Sequence, residues 1–179
     1  MSSRDARIAQ LFLVGASTAL RRDLRRITDC LQLLSVEEIW WRPNAASNSA
    51  GNLSLHLCGN VRQWIVSGLG GAPDVRVRGR EFSERGPVGR RVLAARLHAT
   101  IREACRVLQR LSPAALTRDY TIQGFRVTGV AAVSDVVAHF SHHTGQIIYL
   151  TKLKRGRDLR FTRLPRVAKK KQASKSAED

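Results

Sequence analysis

The 179-residue sequence lacks the features that mark membrane proteins and disulfide-stabilised proteins. No apolar run approaches the roughly 18 residues that a membrane-spanning helix needs. The N-terminus enters an amphipathic pattern that contains charged residues, so no leader or anchor is visible. The cysteines Cys30, Cys58 and Cys105 are odd in number, widely spaced and without a Cys-x-x-Cys pair. We therefore expect a cytoplasmic protein whose cysteines are reduced and buried.

Acidic side chains are scarce as well. The chain has 14 Asp and Glu against 31 Lys and Arg, a formal net charge of +17. Nearly half of this excess lies beyond Thr151, where eleven basic residues stand against three acidic ones. Such charge affects solubility and attraction to polyanions but does not determine a fold. The length and the 43% hydrophobic content suit one soluble domain with a single core.

Apolar residues recur every three or four positions in four segments, and in the first of them the period begins at Ile8 and Leu11. This spacing predicts amphipathic helices over about residues 5–34, 49–67, 88–111 and 130–154. Residues 68–89 form a long second loop, and residues 117–128 suggest an extended segment or small hairpin. We predict an all-α four-helix bundle over residues 1–155, followed by a basic, disordered tail over residues 156–179.

Three of the five histidines fall close together on the fourth predicted helix. His139 and His143 lie four residues apart at one margin of its apolar face, whereas His142 points away from them. His56 occupies the matching margin of the second helix, where a structural histidine is the alternative. Three imidazoles leave one position open in a catalytic zinc site. They also suit nickel, iron or copper, and the segment lacks the Glu of a His-Glu-x-x-His protease motif.

Several other side chains are weaker candidates for a pocket or for the shell around such a site. Two of them, Trp40 and Trp41, either close the end of the bundle or wall a pocket. Glu81 is either a base or outer-shell group, or an exposed partner of an arginine. The full set of these weaker candidates is Trp40, Trp41, Asn60, Gln146, His142 and Glu81.

Two motifs carry a resemblance to a known family. Ser47-Asn-Ser-Ala-Gly-Asn-Leu-Ser-Leu-His-Leu-Cys-Gly-Asn-Val-Arg-Gln-Trp64, together with His139-Phe-Ser-His-His-Thr-Gly-Gln146, resembles the DinB/YfiT-like superfamily, in an uncharacterised subfamily. Members are four-helix bundles, often dimeric, that bind a divalent metal through one His of the second helix and a His-x-x-x-His of the last. The resemblance implies His56, His139 and His143 as ligands, with zinc or nickel as the metal, and leaves His142 as an extra imidazole.

These observations lead to three hypotheses of function. The superfamily includes bacillithiol and mycothiol S-transferases, so the first is a homodimeric metal-dependent enzyme that activates water or a low-molecular-weight thiol, acting as a hydrolase or a thiol S-transferase on a small molecule. The second is a non-catalytic, stress-related metal-binding or interaction protein whose metal is structural. The third is non-specific association with nucleic acid through the basic tail, because clustered Lys and Arg displace counterions from phosphates.

Overall fold

The computed structural model describes residues 2–86 and 88–162. Its longest helices match the four predicted segments, and the all-α fold class is confirmed. Three short helices and one small antiparallel sheet join them within the described ranges. The elements are α1 (Ser3–Leu33), α2 (Val36–Trp40), α3 (Ala50–Val61) continued by a π-helical segment (Arg62–Leu69), α4 (Arg78–Ser83), α5 (Arg90–Arg110), α6 (Pro113–Thr117), β1 (Asp119–Ile122), β2 (Phe125–Thr128) and α7 (Gly129–Arg155).

Helix ends follow from local capping chemistry. Ser2, Ser35 and Ser49 each accept the backbone N–H three residues on, and the side chain at that third position returns a bond to the cap. This reciprocal arrangement satisfies two amides that a helix start leaves without partners. Thr128 caps α7 by accepting the backbone N–H of Ala131, with no returning side-chain bond, and Gly156 ends the helix in the left-handed conformation at φ 61°.

The long helices pack into a bundle with one core. α1 lies against α5 and α7, and α3 packs between α5 and α7. The side of α1 that faces this core passes through Leu13, Leu20 and Ile27. Ile8 and Leu11 lie outside that stripe and are 58% and 60% exposed, so the core positions that the apolar period predicts for them are wrong.

The predicted extended segment is a two-stranded hairpin. β1 pairs antiparallel with β2, and Gln123 and Gly124 form the turn with φ 54° and 84°. Positive φ at both central residues is the geometry of the tight turns that suit hairpins. Ile122 packs on the π-helical segment, where a Cβ on Gly68 would lie 2.5 Å from the Ile122 Cδ1 atom. The hairpin thus rests on the end of the second long helix and delivers the chain into α7.

The long second loop is present, but it contains α4, which packs against α3. The loop therefore brings its own side chains onto the second helix. Of the tail predicted over residues 156–179, the segment 163–179 lies outside the described residues. Among the described helices, none is both long enough and apolar enough to cross a membrane.

Candidate metal centre

The first histidine of the site sits in the middle of α3. Ser49 caps this helix and Asn52 is fully buried at its third position, which fixes the direction in which α3 enters the bundle. His56, one turn further on, is only 6% exposed. Its Nδ1 atom faces Glu81 and its Nε2 atom faces α7.

The other two histidines lie one turn apart on α7. The Nε2 atom of His139 is 3.1 Å from the Nε2 atom of His56 and 3.0 Å from that of His143. The three nitrogen donors all lie within 4.8 Å of one another. The structure therefore brings His56, His139 and His143 together as the sequence predicts, and the cluster can hold a metal ion.

Protonation of this cluster is unfavourable. Burial, followed by the charges of His143, His56 and Arg76, lowers the pKa of His139 to about 4. Burial also lowers the pKa of His143, although its hydrogen bond to Gln146 acts in the opposite direction. The three Nε2 atoms converge on one point, and a single proton can bridge only one pair of these nitrogens at a time. A divalent cation of matching size accepts all three, so the donor set fits a metal.

An acidic residue and an arginine lie against the Nδ1 atom of His56, on the side of the ring away from the other two histidines. Glu81 Oε2 lies 2.9 Å from the His56 Nδ1 atom. Arg76 donates to both carboxylate oxygens, through Nε at 2.7 Å and Nη2 at 2.8 Å. Burial raises the pKa of Glu81, but the hydrogen bonds and charges of Arg76 and His56 bring it below its ordinary value. Glu81 is thus an anion, and it accepts the Nδ1–H of His56 so that the Nε2 lone pair points into the cluster.

Several contacts hold the carboxylate of Glu81 in place. Asn52 donates its side-chain N–H groups to the backbone carbonyls of Glu81 and Glu84, each at 2.9 Å. Gly59 leaves room for the acid, because a Cβ there would lie 1.9 Å from Glu81 Oε1. Arg76 is fixed in turn by the Gln63 side-chain oxygen at 2.8 Å. The loop before α4 and the helix α3 therefore form one continuous hydrogen-bonded support.

The α7 side of the cluster has a different neighbour. Gln146 Oε1 lies 2.6 Å from the Nδ1 atom of His143, and its Nε2 atom is 3.4 Å from His142 Nε2. His142 itself is exposed and stands outside the three-nitrogen cluster. His142 and Gln146 both line a groove of about 710 Å³. Its other walls are Pro43, Ala46, Ser47, Asn48, Leu53, Gly145, Tyr149, Leu150 and Leu153.

The comparisons with known proteins concern the family and the fold of the chain. Residues 7–168 match a family described as "Protein of unknown function (DUF1572)". The chain belongs to this family. No curated protein matches it significantly.

Two solved structures share the family member's fold. A conserved protein from Enterococcus faecalis aligns with a TM-score of 0.70 at 16% identity, covering 80% of this chain and 97% of its own. A DinB-like protein from Bacillus cereus aligns with a TM-score of 0.63 at 16% identity, covering 78% and 91%. The second likeness confirms the fold that the DinB/YfiT-like resemblance implies.

Trp40 and Trp41, two of the three tryptophans of this DUF1572 protein, make their contacts away from the three histidines. Trp40 donates its indole N–H to the Val88 carbonyl at 3.1 Å and packs where Gly51 and Gly86 leave space. Trp41 is stacked under the Lys154 ammonium, 3.6 Å from its ring centre. Both pack against the core cluster, which agrees with their closing the end of the bundle.

The remaining candidates divide between the site and its surroundings. Asn60 lies one turn after His56, and its buried Oδ1 atom has no partner among the described residues. Glu81 is paired with an arginine as one alternative predicted, but it is 8% exposed and also contacts His56. Sequence reasoning missed Arg76 and the supporting role of Asn52. The signal available for Asn52 was its place three residues after a serine cap.

Proposed function

We propose that this protein is a metal-dependent enzyme in which His56, His139 and His143 hold a divalent ion, zinc or nickel. One observation carries the proposal: three half-buried or buried imidazoles from two packed helices direct their Nε2 atoms at one point. When bound, such an ion acts as a Lewis acid and lowers the pKa of a water or thiol at its open position.

The chain's own residues would orient these donors. Glu81 accepts a hydrogen bond from His56 Nδ1–H and Gln146 accepts one from His143 Nδ1–H, which leaves both Nε2 atoms unprotonated. Hydrogen bonds of this type fix the tautomer and ring orientation of metal-binding histidines. His139 has no such partner within the described residues, and burial keeps its ring neutral instead.

The number of donors favours catalysis over a structural metal. Structural zinc sites usually have four protein ligands, whereas catalytic sites have three and leave one position for substrate or water. The described residues place no fourth His, Cys, Asp or Glu in the cluster. Cys58 follows His56 by two residues on α3 but is not part of the cluster.

The groove beside Gln146 and His142 supports a small organic substrate. Its volume of about 710 Å³ lies in the range of small-molecule sites. The walls are mostly apolar, with an imidazole and an amide at the end next to His143. We infer that the enzyme transfers a low-molecular-weight thiol to, or hydrolyses, a small electrophilic compound that lies in this groove.

Metal analysis of two neighbouring variants tests the ligands. We expect His143→Ala to lose the ion that the wild-type protein retains after dialysis, while the matched variant His142→Ala keeps it. Metal retained by the first variant and lost by the second would overturn the assignment. Turnover is then measured with thiol and electrophile panels on the metal-loaded protein. A stable metal complex without turnover would favour the non-catalytic metal-binding protein instead.

A further inference from the structure

A second functional surface lies where α1 and α5 pack side by side. The two helices run antiparallel: Arg90 donates to the Gln32 carbonyl at 3.4 Å, and at the other end Leu13 and Leu108 line the same cavity. Residues in the second half of α1 therefore lie level with residues in the middle of α5. This packing places arginines from both helices on one solvent-facing strip.

We name this strip the arginine seam. Its members are exposed and lie on the solvent side of the two helices, and none of them forms a salt bridge with another described residue. The members are Arg21, Arg25, Arg91 and Arg102. Like charges on neighbouring rigid helices repel one another, so an external anion would stabilise this surface.

Nearby carboxylates do not neutralise the seam. Asp23 is buried and accepts hydrogen bonds from Arg22 and Arg26, which are not seam members. Glu103 is paired with Arg62 on the far side of α5. Asp29 is the exposed acid that remains on this half of α1, and His98 is the other titratable group on the adjoining face of α5. The seam therefore keeps a strong positive excess at neutral pH.

The arginine side chains of the seam favour phosphate groups among possible anions. Every cationic side chain before Lys152 is an arginine. The planar guanidinium matches a phosphate with two parallel hydrogen bonds, which an ammonium cannot do. α5 contains no Phe, Trp or Tyr, and α1 contains only Phe12, near its N-terminal end. A surface without aromatic rings offers no stacking platform for unpaired bases, so it suits duplex nucleic acid better than single strands.

We propose that the arginine seam binds the phosphate backbone of double-stranded nucleic acid without reading its sequence. Side chains one helical turn apart are spaced by about 6 Å, and packed helix axes lie about 8–10 Å apart. The seam thus presents a fixed two-row array of charges to the backbone. This site is separate from the metal centre and from the tail, and it does not depend on the proposed enzymatic function.

Salt dependence of binding to a short fluorescein-labelled DNA duplex tests the proposal on the full chain. Each phosphate that is neutralised contributes about −0.9 to the slope of log K against log salt. Arg21→Gln, Arg25→Gln and Arg102→Gln combined should weaken binding by at least about tenfold and flatten the slope by about 3 units. The same three positions changed to Lys should keep the slope, because it counts charges.

A matched control removes the same charge elsewhere. Arg80→Gln, Arg118→Gln and Arg157→Gln change exposed arginines outside the seam and should leave most of the slope in place. An unchanged slope in the seam variant, or an equal loss in the control, would overturn the proposal in favour of general charge or the tail. Binding to anionic vesicles but not to the duplex would overturn it as well. Circular dichroism and urea unfolding confirm that the seam variant is folded.

Discussion

Replacing Glu81 by Gln tests how the site is supported. In the wild-type protein three N–H donors converge on two carboxylate oxygens, one from His56 and two from Arg76. Gln has nearly the same shape but keeps one acceptor oxygen, and its amide N–H group must face a donor. Either His56 or Arg76 therefore loses its partner.

The expected effect on metal binding follows from the contact to His56. Loss of a residue that orients a metal-binding histidine typically lowers metal affinity by about 10- to 100-fold, which is about 1.4–2.7 kcal/mol. The 2.9 Å contact is short and buried, so solvent cannot replace it. We expect zinc affinity in this range below that of the wild type.

The expected effect on stability follows from Arg76. Its side chain is 5% exposed, and Glu81 is the carboxylate that contacts it. Breaking one side of a buried ion pair costs about 3–5 kcal/mol, because the other charge stays buried. Arg76→Met in the Glu81→Gln background removes that charge. We expect this double variant to recover part of the stability and none of the zinc affinity.

Competition with a chromogenic chelator measures zinc affinity, and urea unfolding measures stability. Glu84→Gln serves as the matched control, since among the described residues the carboxylate of Glu84 accepts hydrogen bonds from the backbone N–H groups of Arg85 and Gly86 alone. Zinc affinity of folded Glu81→Gln within twofold of the control would refute the supporting role. A double variant that recovers affinity together with stability would show that the loss came from unfolding.

Three further predictions concern the same region. Gly59→Ala should displace Glu81 and lower both zinc affinity and the melting temperature, whereas Gly79→Ala, which meets open space, should change neither. Asn52→Ala should cost about 2–3 kcal/mol in urea unfolding, because it leaves buried carbonyls without donors. The lowered pKa of His139, about 4, means that metal-free protein holds full stability above about pH 6.5 and loses up to about 3 kcal/mol as the pH falls toward 4. His139→Gln should remove most of that dependence; an equally steep acid loss in the variant would assign it to other groups.

Much of the fold could be predicted because local sequence patterns determine its helices. The apolar period identifies the long helices, and a serine followed three residues later by Asn52 marks the start of α3. The i, i+4 spacing of His139 and His143 places them on one face of α7 whatever the rest of the chain does. The third partner, His56, needed a matching margin position and the family resemblance, because nothing local links α3 to α7.

The support beneath His56 could not be predicted in the same way. Residues 70–86 show no apolar period, and their position depends on Asn52 bonds to carbonyls 29 and 32 residues away. Glu81 was open to two interpretations, and it combines them: it pairs with an arginine and also contacts a candidate ligand. Composition around Glu81 carries no signal for burial, which arises only when α4 packs on α3.

Glu81 can hydrogen-bond to His56 without reducing the Lewis acidity of a metal ion bound there, because Arg76 balances its charge. A carboxylate bound directly to a divalent ion would cancel part of the charge that makes the ion a Lewis acid. Here Arg76 neutralises Glu81 through two hydrogen bonds, so the pair orients His56 while adding little net charge. Burial keeps the pKa of His139 at about 4 and also lowers that of His143, so these two donors add no positive charge of their own near neutral pH. A cation held there keeps nearly its full charge, which is the condition for acidifying a bound water or thiol near neutral pH.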